Sequence, residues 1–195
     1  MSKRIVDKYD QTEQPKQTLA DIEMAIHDPR RLEEVENLGL LDTPTEDVFD
    51  ELTREASRRL NAPLALLTVV DEYRDFVKSQ VGLPEPYASN QEIIDTPTFC
   101  QLTIAQAEPV VINDTSRVAL YDLFPSVRSS GVRAHMGIPL TINGQPVGNC
   151  CVLDFHPREW TDEDLAVLTA LAERAMKLLQ ARVRPAVGGW KTKPA

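Results

Sequence analysis

With 195 residues, the chain has enough length for one well-buried core and is short for two. Lysine and arginine total 21 against 30 aspartates and glutamates, giving a formal charge of −9 and a pI near 4.9; this argues against phosphate-backbone binding, which requires a basic face. No apolar run approaches the roughly 20 residues that span a bilayer, and residues 1–10 lack the apolar centre of an export signal, so the expectation is a cytoplasmic protein with no nucleic-acid or membrane role.

Residues 1–18 are polar without a sustained period and read as a flexible tail. Leu19, Ile22 and Ile26 supply a helical turn or two ahead of Asp28 and Pro29, an N-cap followed by a first-position proline. Leu32, Val35 and Leu38 then share one face, and Gly39 stops the helix. Thr43, Pro44 and Glu46 combine an N-cap, a first-position proline and a capping box before Val48, Phe49, Leu52, Ala56 and Leu60 at helical spacing. Asn61 and Pro63 end that helix. Leu64–Val70 is a β-rich run suited to burial on both faces, and a turn over Asp71–Arg74 leads to an alternating strand at Asp75–Val81.

Residues 82–96 contain two prolines and few periodic apolar positions, which predicts a long loop of the kind that often carries function. A short helix over Thr98–Ala107, a short strand at Pro109–Ile112 and an irregular connection over Asn113–Arg133 come next. Two apolar runs flanking Asn143-Gly144 form the strongest short-range hairpin signal, with a type I′ turn. The last helix begins at Thr161 and aligns Leu165, Leu168, Leu171, Ala172, Ala175 and Leu179. Residues 183–195, with Pro185, Gly188, Gly189 and Pro194, read as a second flexible tail, leaving residues 19–182 as a single domain. This order of elements predicts an α+β fold with a mainly antiparallel sheet.

Gly137, Pro139, Leu140, Gly148, Cys151, Val152 and Asp154 fall in the order of the closing strands of a GAF domain, and the segments Gly39–Pro44, Leu67–Asp71, Phe76–Gly82 and Thr98–Cys100 match its opening. Over about residues 32–181 the chain resembles bacterial sensory GAF domains of the kind attached to sensor histidine kinases and diguanylate cyclases. The resemblance implies an antiparallel sheet with N- and C-terminal helices on one face and a ligand cavity on the other, beneath the 82–98 and 113–133 connections. It also implies a non-catalytic sensory domain that binds a small molecule and signals through a homodimer, or through a separate signalling protein. Ile22, Ile26 and Leu178 are the spare apolar positions for a dimer. Alternatives are a thiol-dependent enzyme related to free methionine-(R)-sulfoxide reductase and a ligand-free interaction module.

The residues expected to face the cavity are Phe76, Tyr121, Phe124 and Met136 as apolar wall, Lys78, Asp114 and Arg133 as charge, and Cys100 and His135 as polar groups. No catalytic residue is assigned, and the sequence names no cofactor. Gln101 stands after Cys100 where bilin-binding relatives have histidine, and the Asn-Lys-x-Phe-Asp-Glu pattern of cyclic-nucleotide-binding relatives does not occur. Cys150 and Cys151 are adjacent on a predicted strand, so they face opposite ways. An odd total of three cysteines argues against a disulfide framework. His27, His135 and His156 have no partner at metal-ligand spacing, so no metal site is expected.

Overall fold

Six strands form one sheet in the order β3-β2-β1-β6-β5-β4, every neighbouring pair antiparallel, in the computed structural model, which describes residues 15–94, 96–118 and 121–183. The elements in chain order are α1 (Pro15–Ile26), α2 (Pro29–Leu38), α3 (Asp47–Leu60), β1 (Leu64–Val70), β2 (Asp75–Val81), α4 (Tyr87–Asn90), β3 (Glu92–Ile93), α5 (Phe99–Gln106), β4 (Val110–Ile112), α6 (Pro125–Ser130), β5 (Ala134–Ile142), β6 (Gln145–Asp154) and α7 (Asp162–Gln180). Two 3-10 turns, Thr115–Arg117 and Tyr121–Leu123, lie between β4 and α6.

Local chemistry accounts for most of the boundaries. The Asp28 side chain accepts from Arg30 and Arg31 backbone N–H groups to start α2, and Gly39 ends it with φ 59°. Thr161 and Asp164 make a reciprocal capping box at α7. Asn143 and Gly144 both have positive φ, as a type I′ hairpin requires. Loop 82–96 carries α4 and β3, and the 113–133 connection carries α6.

Two expectations fail for physical reasons. The third helix begins at Asp47 rather than at Pro44, with Glu46 as an N-cap that makes no side-chain capping bond. The residues that would have capped it instead serve Lys78: its buried Nζ donates to Thr43 Oγ1 at 2.7 Å and Pro44 O at 2.6 Å and pairs with Glu46 Oε1 at 2.7 Å. A buried ammonium needs several oxygen partners, and that need outweighs a cap. Helix α1, which starts inside the expected tail, packs on α5 across the sheet from α3 and α7.

Strand alternation sorts the core into two layers. Ala65, Leu67, Val69, Met136, Ile138, Leu140, Cys150 and Val152 point toward Phe49, Leu52 and Ala56 of α3 and Leu168, Leu171 and Ala175 of α7. Leu64, Leu66, Val70, Val77 and Cys151 point the other way, toward Ile22 and Ile26 of α1 and Phe99, Leu102 and Ile104 of α5. Ile22 and Ile26 therefore complete the chain's own core, and Leu178 is half-buried against the helix side.

The buried Arg31 explains where α1 goes. Its guanidinium donates to Ala25 O at 3.0 Å and Ile26 O at 2.5 Å, and to Val70 O at 2.6 Å at the end of β1. One cation thus joins the last carbonyls of α1, where positive charge is favoured, to the edge of the cavity layer. Burial pushes its pKa down to about 10, which leaves it charged at neutral pH.

Candidate functional site

A cavity of about 60 Å³ opens between the face of the sheet covered by α5 and the two long connections. Leu83, Pro84 and Tyr87 from the first connection and Ser126, Val127, Ser130 and Val132 from the second line it, as expected. Its volume exceeds the roughly 10–15 Å³ that one water needs. It is several times below the roughly 300–1,000 Å³ of pockets for drug-sized ligands.

Asp75, Thr98, Cys100 and His135 bring polar groups into this mostly apolar wall from the sheet and α5, beside Tyr87, Ser126 and Ser130 of the connections. Asp75 begins β2 and pairs across the ladder with Val70, so its side chain points to the cavity layer. Its Oδ2 accepts from the Thr98 hydroxyl at 2.6 Å. Thr98 Oγ1 in turn accepts the Gln101 N–H at 3.1 Å as the cap of α5, so one carboxylate anchors the start of that helix to the sheet. Burial pushes the Asp75 pKa up to about 7. Its Oδ1 has no hydrogen-bond partner among the described residues.

His135 lies on β5 opposite Leu153 of β6, its ring centroid 5.0 Å from that of Phe99. Neither ring nitrogen has a partner among the described residues, and burial lowers its pKa to about 3, so the imidazole is neutral. Its Nε2 and the Asn149 side-chain amide converge in front of Gly137: a Cβ on that glycine would stand 2.7 Å from His135 Nε2 and 2.9 Å from Asn149 Oδ1. The Asn149 amide and the buried Gln101 amide are likewise unpartnered among the described residues. Buried polar groups normally find partners, and here several without one gather in a single layer.

The neighbouring Cys100 thiol and burial together push the Cys151 thiol well above its ordinary pKa, and both residues belong to the cavity-side core. Cys150 lies on the other face, where burial raises its pKa to about 12.

The structure thus brings Cys100 and His135 together in the cavity wall. Phe124 is buried just behind, its ring 4.8 Å from Phe99. Phe76, Lys78 and Met136 lie on the helix side instead, because Asp75 and Val77 occupy the cavity-facing positions of β2, and Ala134, Met136 and Ile138 share the opposite parity of β5 from His135. Asp114 and Arg133 form a 2.9 Å ion pair that ties the first 3-10 turn to the start of β5, away from the lining. Burial opposes ionisation of Asp114, but the bonds from Arg133 and Ser116 outweigh it and hold the carboxyl below its ordinary range. The Tyr121 side chain lies outside the described residues. Sequence reasoning missed Asp75, Thr98, Gln101 and Asn149; the parity of Asp75 with Val77 was the available signal for the first.

The GAF domain family model matches residues 44–179. A cyclic di-GMP phosphodiesterase of Pseudomonas aeruginosa is 28% identical over 155 residues, 76% of this chain and 24% of that protein. The chain therefore spans about a quarter of the length of that curated relative. The GAF domain of an Acinetobacter phosphoenolpyruvate-protein phosphotransferase has TM-score 0.60 at 13% identity, over 84% of this chain and 99% of that one. A type II free methionine-R-sulfoxide reductase from Thermoplasma acidophilum has TM-score 0.54 at 16% identity, over 70% of this chain and 90% of that one. At these identities the structural likenesses establish the fold. None of the helices among the described residues is long and apolar enough to cross a membrane.

Proposed function

The chain belongs to the GAF domain family, a sensory and ligand-binding fold, and from that premise we propose that it is a non-catalytic sensory domain whose cavity takes a small, largely apolar molecule. The carrying observation is the set of polar atoms in the cavity wall without a partner among the described residues, Asp75 Oδ1 and both His135 nitrogens, within a mostly apolar lining. A ligand with one polar end would restore those hydrogen bonds, and its apolar body would fill the space toward Leu66, Ile93 and Val127. Binding would then be read out at α5, which Asp75 and Thr98 tie to the sheet, and passed to a partner protein or a second copy of the chain. A cytoplasmic location belongs to the same reading.

Native mass spectrometry of the chain purified from its own host tests this. The expected result is a retained small-molecule mass that disappears in His135→Leu. That variant should be as stable as the parent or more stable by about 1 kcal/mol, because a leucine removes two unpaired buried nitrogens. Recovery of the bare chain mass alone from the parent protein, or unchanged retention by the variant, overturns the reading.

A further inference from the structure

Asp75 is fully buried in the cavity wall, where a carboxylate is ordinarily held by a cation. It makes no ion pair among the described residues: its Oδ2 takes the Thr98 hydroxyl, and its Oδ1 has no partner there. Arg31 acts on it only across space, because the guanidinium donates to the carbonyls of Ala25, Ile26, Val70 and Asp71. Lys78 lies on the other face of the sheet, and Arg133 is engaged with Asp114 away from the lining. No lysine or arginine stands among the described residues of the cavity wall.

Resting on the reading that the cavity binds a small molecule, we infer that its ligand is a small aliphatic amine, bound as the ammonium, with the Asp75 carboxylate as counter-ion. An ammonium carries three N–H donors and no acceptor. One donor serves Asp75 Oδ1 and a second serves the lone pair of the neutral His135 imidazole, so a buried oxygen and a buried ring nitrogen gain partners together. An alcohol has a single donor and can satisfy one of the two. Phe99 and Tyr87 add aromatic surface to the same wall, and such surface attracts a cation further.

Charge and size narrow the class. A carboxylate or phosphate would meet Asp75 with no lysine or arginine in the lining to offset it, which disfavours α-amino acids along with simple acids. The N-terminus of α5 also reaches the wall, but its cap Thr98 is already bonded to Asp75, so the protein itself supplies the negative charge that this terminus favours. A cavity of about 60 Å³, at roughly 10–15 Å³ for each water-sized occupant, has room for about four to six non-hydrogen atoms. Isobutylamine is of that size.

The experiment is calorimetric titration of the intact chain with isobutylamine, isobutanol, isobutyrate and valine, at a mildly alkaline pH where Asp75 is ionised and the amine is still protonated. Isobutylamine should saturate the chain and bind about tenfold tighter than isobutanol or better, with isobutyrate and valine weaker than either. Asp75→Asn keeps an oxygen for the Thr98 hydroxyl, and in that variant the amine should fall to the affinity of the alcohol. Isobutanol binding as tightly as the amine overturns the inference and leaves the cavity a ligand site, so this failure is distinct from failure of the wider reading, which the retained mass decides. Amine binding no better than isobutyrate or valine, no binding of any of the four, or an amine preference that survives in folded Asp75→Asn overturns the inference as well. Where Asp75→Asn does not fold, the ranking of the four probes on the parent chain decides alone.

Discussion

On the helix side of the sheet the buried Lys78 ammonium reaches Thr43, Pro44 and Glu46, and the Thr53, Ser79 and Asp50 side chains satisfy one another at 2.6–2.7 Å. On the cavity side Asp75 keeps a bare oxygen, and His135, Gln101 and Asn149 make no side-chain hydrogen bonds to described residues. The contrast has an exception in each direction: Trp160 Nε1 is unpartnered on the helix side, and Arg31 is fully engaged beside the cavity layer. Each unpaired buried polar group costs about 1–3 kcal/mol. A chain that carries several in one layer has given up stability there, which is the usual signature of a site rather than of a core. The helix side is the more fully satisfied of the two, and the cavity side is where the proposed ligand would sit.

Two glycines test the contrast most strongly. A Cβ on Gly148 would stand 2.1 Å from the Thr68 carbonyl oxygen, a backbone atom in the central β1–β6 pair. Gly148→Ala must separate those strands, and a loss on the order of 4 kcal/mol is expected. A Cβ on Gly137 meets only the far ends of the His135 and Asn149 side chains, which can turn aside. Gly137→Ala should cost about 1 kcal/mol while filling the space between those two groups. Urea unfolding of both variants decides it; equal costs would mean that the cavity layer is packed as tightly as the sheet itself.

Lys78 sharpens the comparison from the helix side. Lys78→Ala strips the cation from Glu46 and empties the space its stem fills, and it should destabilise by about 3 kcal/mol, whereas Lys78→Met keeps the stem and should cost less. The Glu46 carboxyl also pairs with Arg182 beyond the end of α7; burial works against its ionisation, and the two cations outweigh it and hold its pKa below the ordinary range. Losing Lys78 therefore loosens the attachment of α7 as well as the start of α3. Urea midpoints of the two variants measure the difference, and a Lys78→Ala variant as stable as the parent would remove this side's claim to being the stabilising one.

What was legible in the sequence was whatever local chemistry decides. Asp28 with Pro29, Thr161 with Asp164, and Asn143 with Gly144 each fix a boundary by bonds within a few residues, and the apolar periods of α3 and α7 select the face they bury. The start of α3 was illegible because Lys78, more than thirty residues downstream, claims its caps. The placement of α1 was illegible for a similar reason, since the bonds of Arg31 to Val70 cross from one helix to a distant strand. In the site, Cys100 and His135 were legible because they sit at recognisable motif positions. The error over Phe76 and Lys78 was one of parity: an alternating strand shows that two faces exist and leaves open which of them lies under a cavity.

The finest test lies in the pH dependence of stability, where the cavity's two ionisable groups pull in opposite directions. The Asp75 pKa is raised from 3.8 to about 7 in the folded chain, so between those values the native state holds a proton that the unfolded state has released, and stability falls as pH rises through that window. The His135 pKa is lowered from 6.5 to about 3, so between those values the unfolded state binds a proton that the native state refuses, and stability rises with pH. One proton's worth of slope is about 1.4 kcal/mol per pH unit, and the two nearly cancel where the windows overlap, between 3.8 and 6.5. The other carboxylates add a background common to all variants, so differences from the parent isolate these two groups. Relative to the parent, His135→Leu should lose stability as pH rises from 3.8 toward 6.5, the slope of Asp75 laid bare, and Asp75→Asn should gain it over the same range. Urea midpoints measured across that range for the three proteins check the signs. Parallel profiles would mean that neither group is buried without a partner, and the cavity side would then be as well satisfied as the helix side.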